Sequence, residues 1–133
     1  MANLFRCGAG GASKVVIPKI YIRMPHNKNG NHDLYLPSDV KTVKFDVSVT
    51  GGNNKHTMTY RILGTDSGGS QVTIKNLQLT TGTGSMDEFT KRGTIDETDI
   101  SNYKDVYISV FNTVNSSSTE TSTVYVNNIE MSF

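Results

Sequence analysis

Apolar and polar residues alternate along most of the chain. In VKTVKFDVSV, Val43, Phe45, Val47 and Val49 fall on one face of an extended backbone while Lys44, Asp46 and Ser48 fall on the other, the period-2 signature of a half-buried strand. GGNNKH supplies glycines and asparagines that tolerate positive φ, and Met58, Tyr60 and Ile62 resume the alternation, so the two segments are expected to form a hairpin. DSGG, Asp66 to Gly69, is the next turn. Val72 and Ile74 then share one parity and Leu77 and Leu79 the other, which predicts a β-bulge near Asn76.

The middle of the chain reads as a strand around Met86 to Thr94, followed by a loop or single helical turn near Asp96 to Tyr103. DVYISVFN is apolar on both faces, with Val106, Ile108 and Val110 against Tyr107 and Phe111, as in a strand central to its sheet. The last segment alternates through Tyr125, Ile129, Met131 and Phe133. Near the start, KVVIPKIYIRM is strand-like, but Pro18 has no N–H for a ladder and confines the segment to an edge or breaks it. PHNKNGNHD is expected to be a solvated loop. Seven or eight short strands without a helical stripe predict an all-β fold, an antiparallel β-sandwich of jelly-roll type. Residues 1–14 are expected to form an extended arm outside it, and residues 15–133 the domain.

Composition removes several functional classes. At 133 residues with a net charge of +1 and scattered basic residues, the chain lacks the electrostatic footprint of a nucleic-acid or anionic-membrane partner. Cys7 is the only cysteine, so no internal disulfide or multi-cysteine zinc site is available. Leu4 and Phe5 are followed at once by Arg6 and a glycine run, whereas a secretory signal needs an apolar core of about 7–15 residues. No segment approaches the roughly 18 apolar residues of a membrane span.

No catalytic constellation emerges. His26, His32 and His56 have no partner fixed by spacing. GAGGASK fails as a phosphate loop, because Ser13 precedes Lys14 and no helix follows. Cys7 has no neighbouring histidine to activate its thiol. Asp96, Glu97 and Asp99 cluster and offer Asp96 and Asp99 as ligands of a structural Ca2+, against the alternative that one of them caps a turn; no other cofactor is implied. Sugar sites on β-sandwiches use aromatic faces with amide and carboxylate side chains. Tyr35 and Tyr103, near loops, are the candidates among six tyrosines in a chain without tryptophan.

Two stretches resemble known families. From KTVKFDVSV through DVYISVFN to VYVNNIEMSF, residues 40–133 resemble the jelly-roll carbohydrate-binding modules and galactose-binding-like superfamily. Val124 to Ile129 match that family's closing strand, with Asn127 where an aspartate often stands. The resemblance implies a glycan-binding role for Asn127 beside Tyr35 and Tyr103. MANLFRCGAGG, through Asn3, Leu4, Phe5, Arg6, Cys7 and Gly8, is similar to N-terminal arms of minor structural proteins of tailed bacteriophages.

That second resemblance implies a non-enzymatic component of a virion tail, baseplate, fibre or capsid, made in the bacterial host cytoplasm. Leu4 and Phe5 would dock, with Arg6 and Cys7 between them and a hinge at Gly8, Gly10 and Gly11. Its partners would be other virion proteins, further copies of itself and a host-surface glycan. The alternative is a carbohydrate-binding module acting in receptor or polysaccharide recognition.

Overall fold

Among the described residues the chain forms eight strands and one helical turn: β1 (Lys14–Pro25), β2 (Gly30–Tyr35), β3 (Thr42–Thr50), β4 (His56–Thr65), β5 (Gln71–Thr81), α1 (Met86–Phe89), β6 (Thr90–Asp99), β7 (Lys104–Asn112) and β8 (Thr121–Ser132). The computed structural model describes residues 13–51, 54–83, 86–112 and 119–133, without the side chains of residues 86 and 87. The assembly arm, with Leu4, Phe5, Arg6, Cys7, Gly8, Gly10 and Gly11, lies outside the described residues.

Two four-stranded antiparallel sheets stack face to face, in the orders β1-β8-β3-β6 and β2-β7-β4-β5. The fold is a jelly-roll β-sandwich. Its core is made by the inward parity of each strand: Val43, Phe45, Val47 and Val49 of β3 and Val124 and Val126 of β8 on one side, with Met58, Tyr60 and Ile62 of β4 and Ile108 and Val110 of β7 on the other. β1 lies at a sheet edge and β7 is central, as Pro18 and the two apolar faces of DVYISVFN require.

β3 and β4 do not form the expected hairpin, because they belong to different sheets. Each carries its own complete apolar face, and burying two such faces against one another is satisfied by placing them in opposite layers. The hairpin is β4–β5, closed where Asp66 Oδ1 accepts the N–H groups of Gly68 and Ser70, both at 2.9 Å. Gly69 takes φ +87° there, a conformation open to glycine at no steric cost.

The bulge in β5 is present, two residues earlier than Asn76: Ile62 faces Lys75 and Leu63 faces Thr73, leaving Ile74 as the extra residue. A larger difference concerns Asp96 to Asp99. The strand starts at Thr90, after a helical turn at Met86–Phe89, and runs on through Asp99. Its pairing slips between Val43↔Thr98 and Phe45↔Ile95, so Asp96 and Glu97 are neighbouring exposed residues of a bulge. Two consecutive outward charges are what a bulge permits and regular alternation does not.

Candidate functional site

Irregularities cross the first sheet in a line. On β1, Pro18 leaves a gap in the ladder opposite Asn128, with the register unchanged from Ile17↔Ile129 to Lys19↔Asn127. On β8, Asn128 is the extra residue between Lys44↔Glu130 and Asp46↔Asn127, with φ +50°. On β6, Asp96 and Glu97 continue the line. Bulges bend a strand and re-aim its side chains. Consistent with that, a groove of about 640 Å³ lies on the outer face here, lined among others by Lys19, Asp46, Ser48, Arg92, Thr94, Asn127 and Asn128.

The register sets the site out in rows. Lys19, Asn127, Asp46 and Thr94 lie side by side across all four strands, and Tyr21, Tyr125, Ser48 and Arg92 form the next row. Tyr21 is 52% exposed and tilts over Tyr125, with ring centroids 5.5 Å apart. Lys19 Nζ stands 4.7 Å from the centroid of the Tyr125 ring, within cation–π range. Thr94 Oγ1 donates to Asp46 Oδ1 at 2.9 Å, and Asn128 Nδ2 approaches Asp46 Oδ2 at 3.5 Å. Asn127 Oδ1 is buried and meets no donor among the described residues. Aromatic faces, an amide, a carboxylate and two cations thus share one polar surface.

The three residues expected to bind glycan are not brought together. Asn127 lines this groove. Tyr35 is on the other sheet, 67% exposed and stacked on Tyr107 at 4.7 Å, where Gln71 Nε2 donates to the Tyr107 hydroxyl at 2.9 Å. Tyr103 is half-buried in the turn between β6 and β7 and packs against the core, its N–H donating to Ile100 O at 3.1 Å. Tyr125 was grouped by parity with Ile129, Met131 and Phe133, but the bulge at Asn128 reverses that parity, and Tyr125 faces outward with Tyr21. The signal for both tyrosines was local: each is flanked by inward residues, Ile20 and Ile22 or Val124 and Val126.

Asp99 takes the capping role rather than an open one. Its Oδ1 accepts the N–H of Ser101 at 2.9 Å and the Ser101 hydroxyl at 2.6 Å, and these bonds hold its carboxyl below the usual carboxylate range. Asp96 lies in the β6 bulge, and among the described residues no three His, Cys, Asp or Glu side chains are grouped to hold a metal ion.

Of the segment expected to be a solvated loop, His32 is exposed but lies on strand β2, and His26 is not solvated. His26 and His56 are fully buried, with ring centroids 4.0 Å apart. Ser122 Oγ bridges them, 3.0 Å from His26 Nε2 and 2.6 Å from His56 Nδ1. Asn112 Nδ2 lies 3.0 Å from His56 Nε2 and donates to Pro25 O at 2.6 Å. Burial, and then the neighbouring His26, push His56 from 6.5 down to about 4. Burial lowers His26 too, against the opposing pull of Glu120. With both rings and Ser122 closed to solvent, the cluster ties β1, β4, β7 and β8 together at one end of the sandwich.

No family model and no curated protein matches the chain. Among solved structures, PirA is similar at 8% identity, over 84% of this chain and 94% of that one, with a TM-score of 0.51. A mitogen from Yersinia pseudotuberculosis is similar at 15% identity, over 84% and 86%, with a TM-score of 0.50. The C-terminal family 22 carbohydrate binding module of Clostridium thermocellum Xyn10B aligns at 18% identity over 93% and 81%, with a TM-score of 0.48. At these identities the likeness to PirA and to the mitogen is one of fold.

Proposed function

We propose that the domain is a non-enzymatic recognition module that binds carbohydrate on the outer face of the β1-β8-β3-β6 sheet. The observation that carries this reading is the groove along the bulge line, polar in its lining and flanked by the Tyr21–Tyr125 pair. A pyranose ring laid on Tyr125 would meet the aromatic face with its C–H groups. Its hydroxyls would reach the carboxylate of Asp46 and the donors of Lys19 and Arg92.

A glycan array probed with the full chain, followed by calorimetry on the best oligosaccharide, tests this. Tyr125→Ala is expected to weaken binding about tenfold or more, ~1.4 kcal/mol or above, while Tyr35→Ala on the opposite sheet leaves it unchanged. Equal loss from both substitutions, or no glycan bound at all, contradicts the assignment.

The N-terminal pattern from Asn3 to Gly8 supports a second reading at the level of the particle. In it, the module is a structural component of a tailed-phage virion, anchored to a neighbouring subunit through residues 1–14. Deleting residues 2–12 should leave a folded domain that no longer joins particles, as read by immunoblotting of purified virions. Normal incorporation of the truncated chain refutes that reading.

A further inference from the structure

Charge is unevenly sorted on the outer face of the first sheet. The rows that begin with Lys19 and Tyr21 are followed by a third, of Arg23, Thr123, Thr50 and Thr90. Together the three rows carry three cations, Lys19, Arg92 and Arg23, against one carboxylate, Asp46, in a chain whose net charge is +1. On the other side of the bulge line the charges compensate. There Lys14 Nζ meets Glu130 Oε1 at 3.3 Å, and Lys44 lies opposite the Asp96–Glu97 bulge in the register.

The three cations are not equivalent. Lys19 is engaged over the Tyr125 ring, and Arg23 is not among the residues that line the groove. Arg92 lines it and is exposed. Its neighbours across and along the strand are Ser48, Thr90 and Thr94, none of them charged, and among the described residues no carboxylate pairs with it. Asp46, diagonal to it in the register, has Oδ1 held by Thr94 and Oδ2 approached by Asn128. A permanently ionised, planar donor fork thus stands open at the groove.

The geometry points to an acidic saccharide, one that bears a carboxylate, as the ligand of this face, with Arg92 as the residue that selects it. This rests on the carbohydrate reading and names the class of sugar. A guanidinium matches a carboxylate with two parallel N–H bonds, and such charge-assisted bonds are about twice as strong as those to neutral hydroxyls. The excess of cations on the three rows attracts an anion toward the same place. Tyr125 and Arg92 share a row at a separation of two strand spacings, about 10 Å, a span for two linked sugar rings rather than one. One ring lies on Tyr125, and the next brings its carboxylate to Arg92. Asp46, one row away, accepts hydroxyls and repels an anion, so it fixes which edge of the ligand is charged.

An array holding uronate, sialate, sulfated and neutral oligosaccharides, probed with the full chain, tests the class. Ligands are expected among the carboxylated sugars. By calorimetry, the methyl ester of the tightest of these, which keeps every ring and removes the charge, should bind at least tenfold more weakly than the free acid. In Arg92→Gln, shown by its melting curve to be folded, acid and ester should bind within about twofold of one another. Tyr125→Ala should weaken both forms and keep their ratio.

Binding confined to neutral sugars, or an ester as tight as its acid, overturns this inference and leaves the carbohydrate reading standing. Binding confined to sulfated sugars overturns the carboxylate assignment. A preference for the acid that persists in Arg92→Gln overturns the role given to Arg92. An array without any ligand removes the inference together with the reading it rests on.

Discussion

Deleting Asn128 is expected to abolish cooperative folding. The residue is the extra one of the β8 bulge, at φ +50°, and it lets Val124 and Val126 point inward before it while Ile129, Met131 and Phe133 point inward after it. Removing it slips the register by one residue, which sends the last three to solvent or drags Tyr125 and Asn127 into the core. Each buried apolar side chain of this size contributes about 1.5–3 kcal/mol. Losing three therefore removes about 5–9 kcal/mol, which rivals the whole stability of a typical domain. Circular dichroism on heating should show no sharp transition. Asn128→Gly, which keeps both the residue count and access to positive φ, should melt close to the parent. A deletion variant with a normal melting curve would show that the bulge is dispensable.

Acidification should also weaken the domain, through His56. Its folded-state pKa is depressed to about 4 from 6.5, so the unfolded chain binds a proton more readily than the folded one between those values. Stability from this group is fully present above about pH 6.5 and is lost as pH falls toward about 4. At 1.36 kcal/mol per pKa unit the loss is about 3 kcal/mol, and His26, lowered in the same direction, adds to it. Urea unfolding at a series of pH values measures the slope. His56→Gln should flatten it over this interval even if the variant is less stable overall. An unchanged slope in that variant would assign the acid sensitivity elsewhere.

Much of the fold was legible because it rests on alternation. Val43 to Val49 alternate without interruption, Val106, Ile108 and Val110 share one parity, and these inward residues are found buried. What was hidden lies where alternation breaks. Pro18, Asn128 and the Asp96–Glu97 pair each change parity by one residue, a signal indistinguishable in sequence from the end of a strand. For that reason the outward tyrosine pair at Tyr21 and Tyr125 is not among the candidates the sequence offers, and Asp96 to Asp99 reads as part of a loop or helical turn. The β3–β4 connection carries a turn composition that fits a hairpin and a crossing between sheets equally well. Only the need to bury two full apolar faces separates them. The histidine cluster was out of reach for a different reason: His26, His56, Asn112 and Ser122 come from four segments far apart in sequence, and nothing local marks a histidine as buried.

The place of β8 in the sheet order bears on how the chain reaches its native state. β8 lies between β1 and β3, so the first strand has no ladder partner in its own sheet until the last has been made. A chain emerging residue by residue can close the β4–β5 hairpin early, but must hold β1 unpaired and leave one edge of β3 bare until residues 121–132 arrive. Such non-local pairing places folding in the slow range of milliseconds to seconds. During that interval the unpaired β1 and the bare edge of β3 are open to wrong partners.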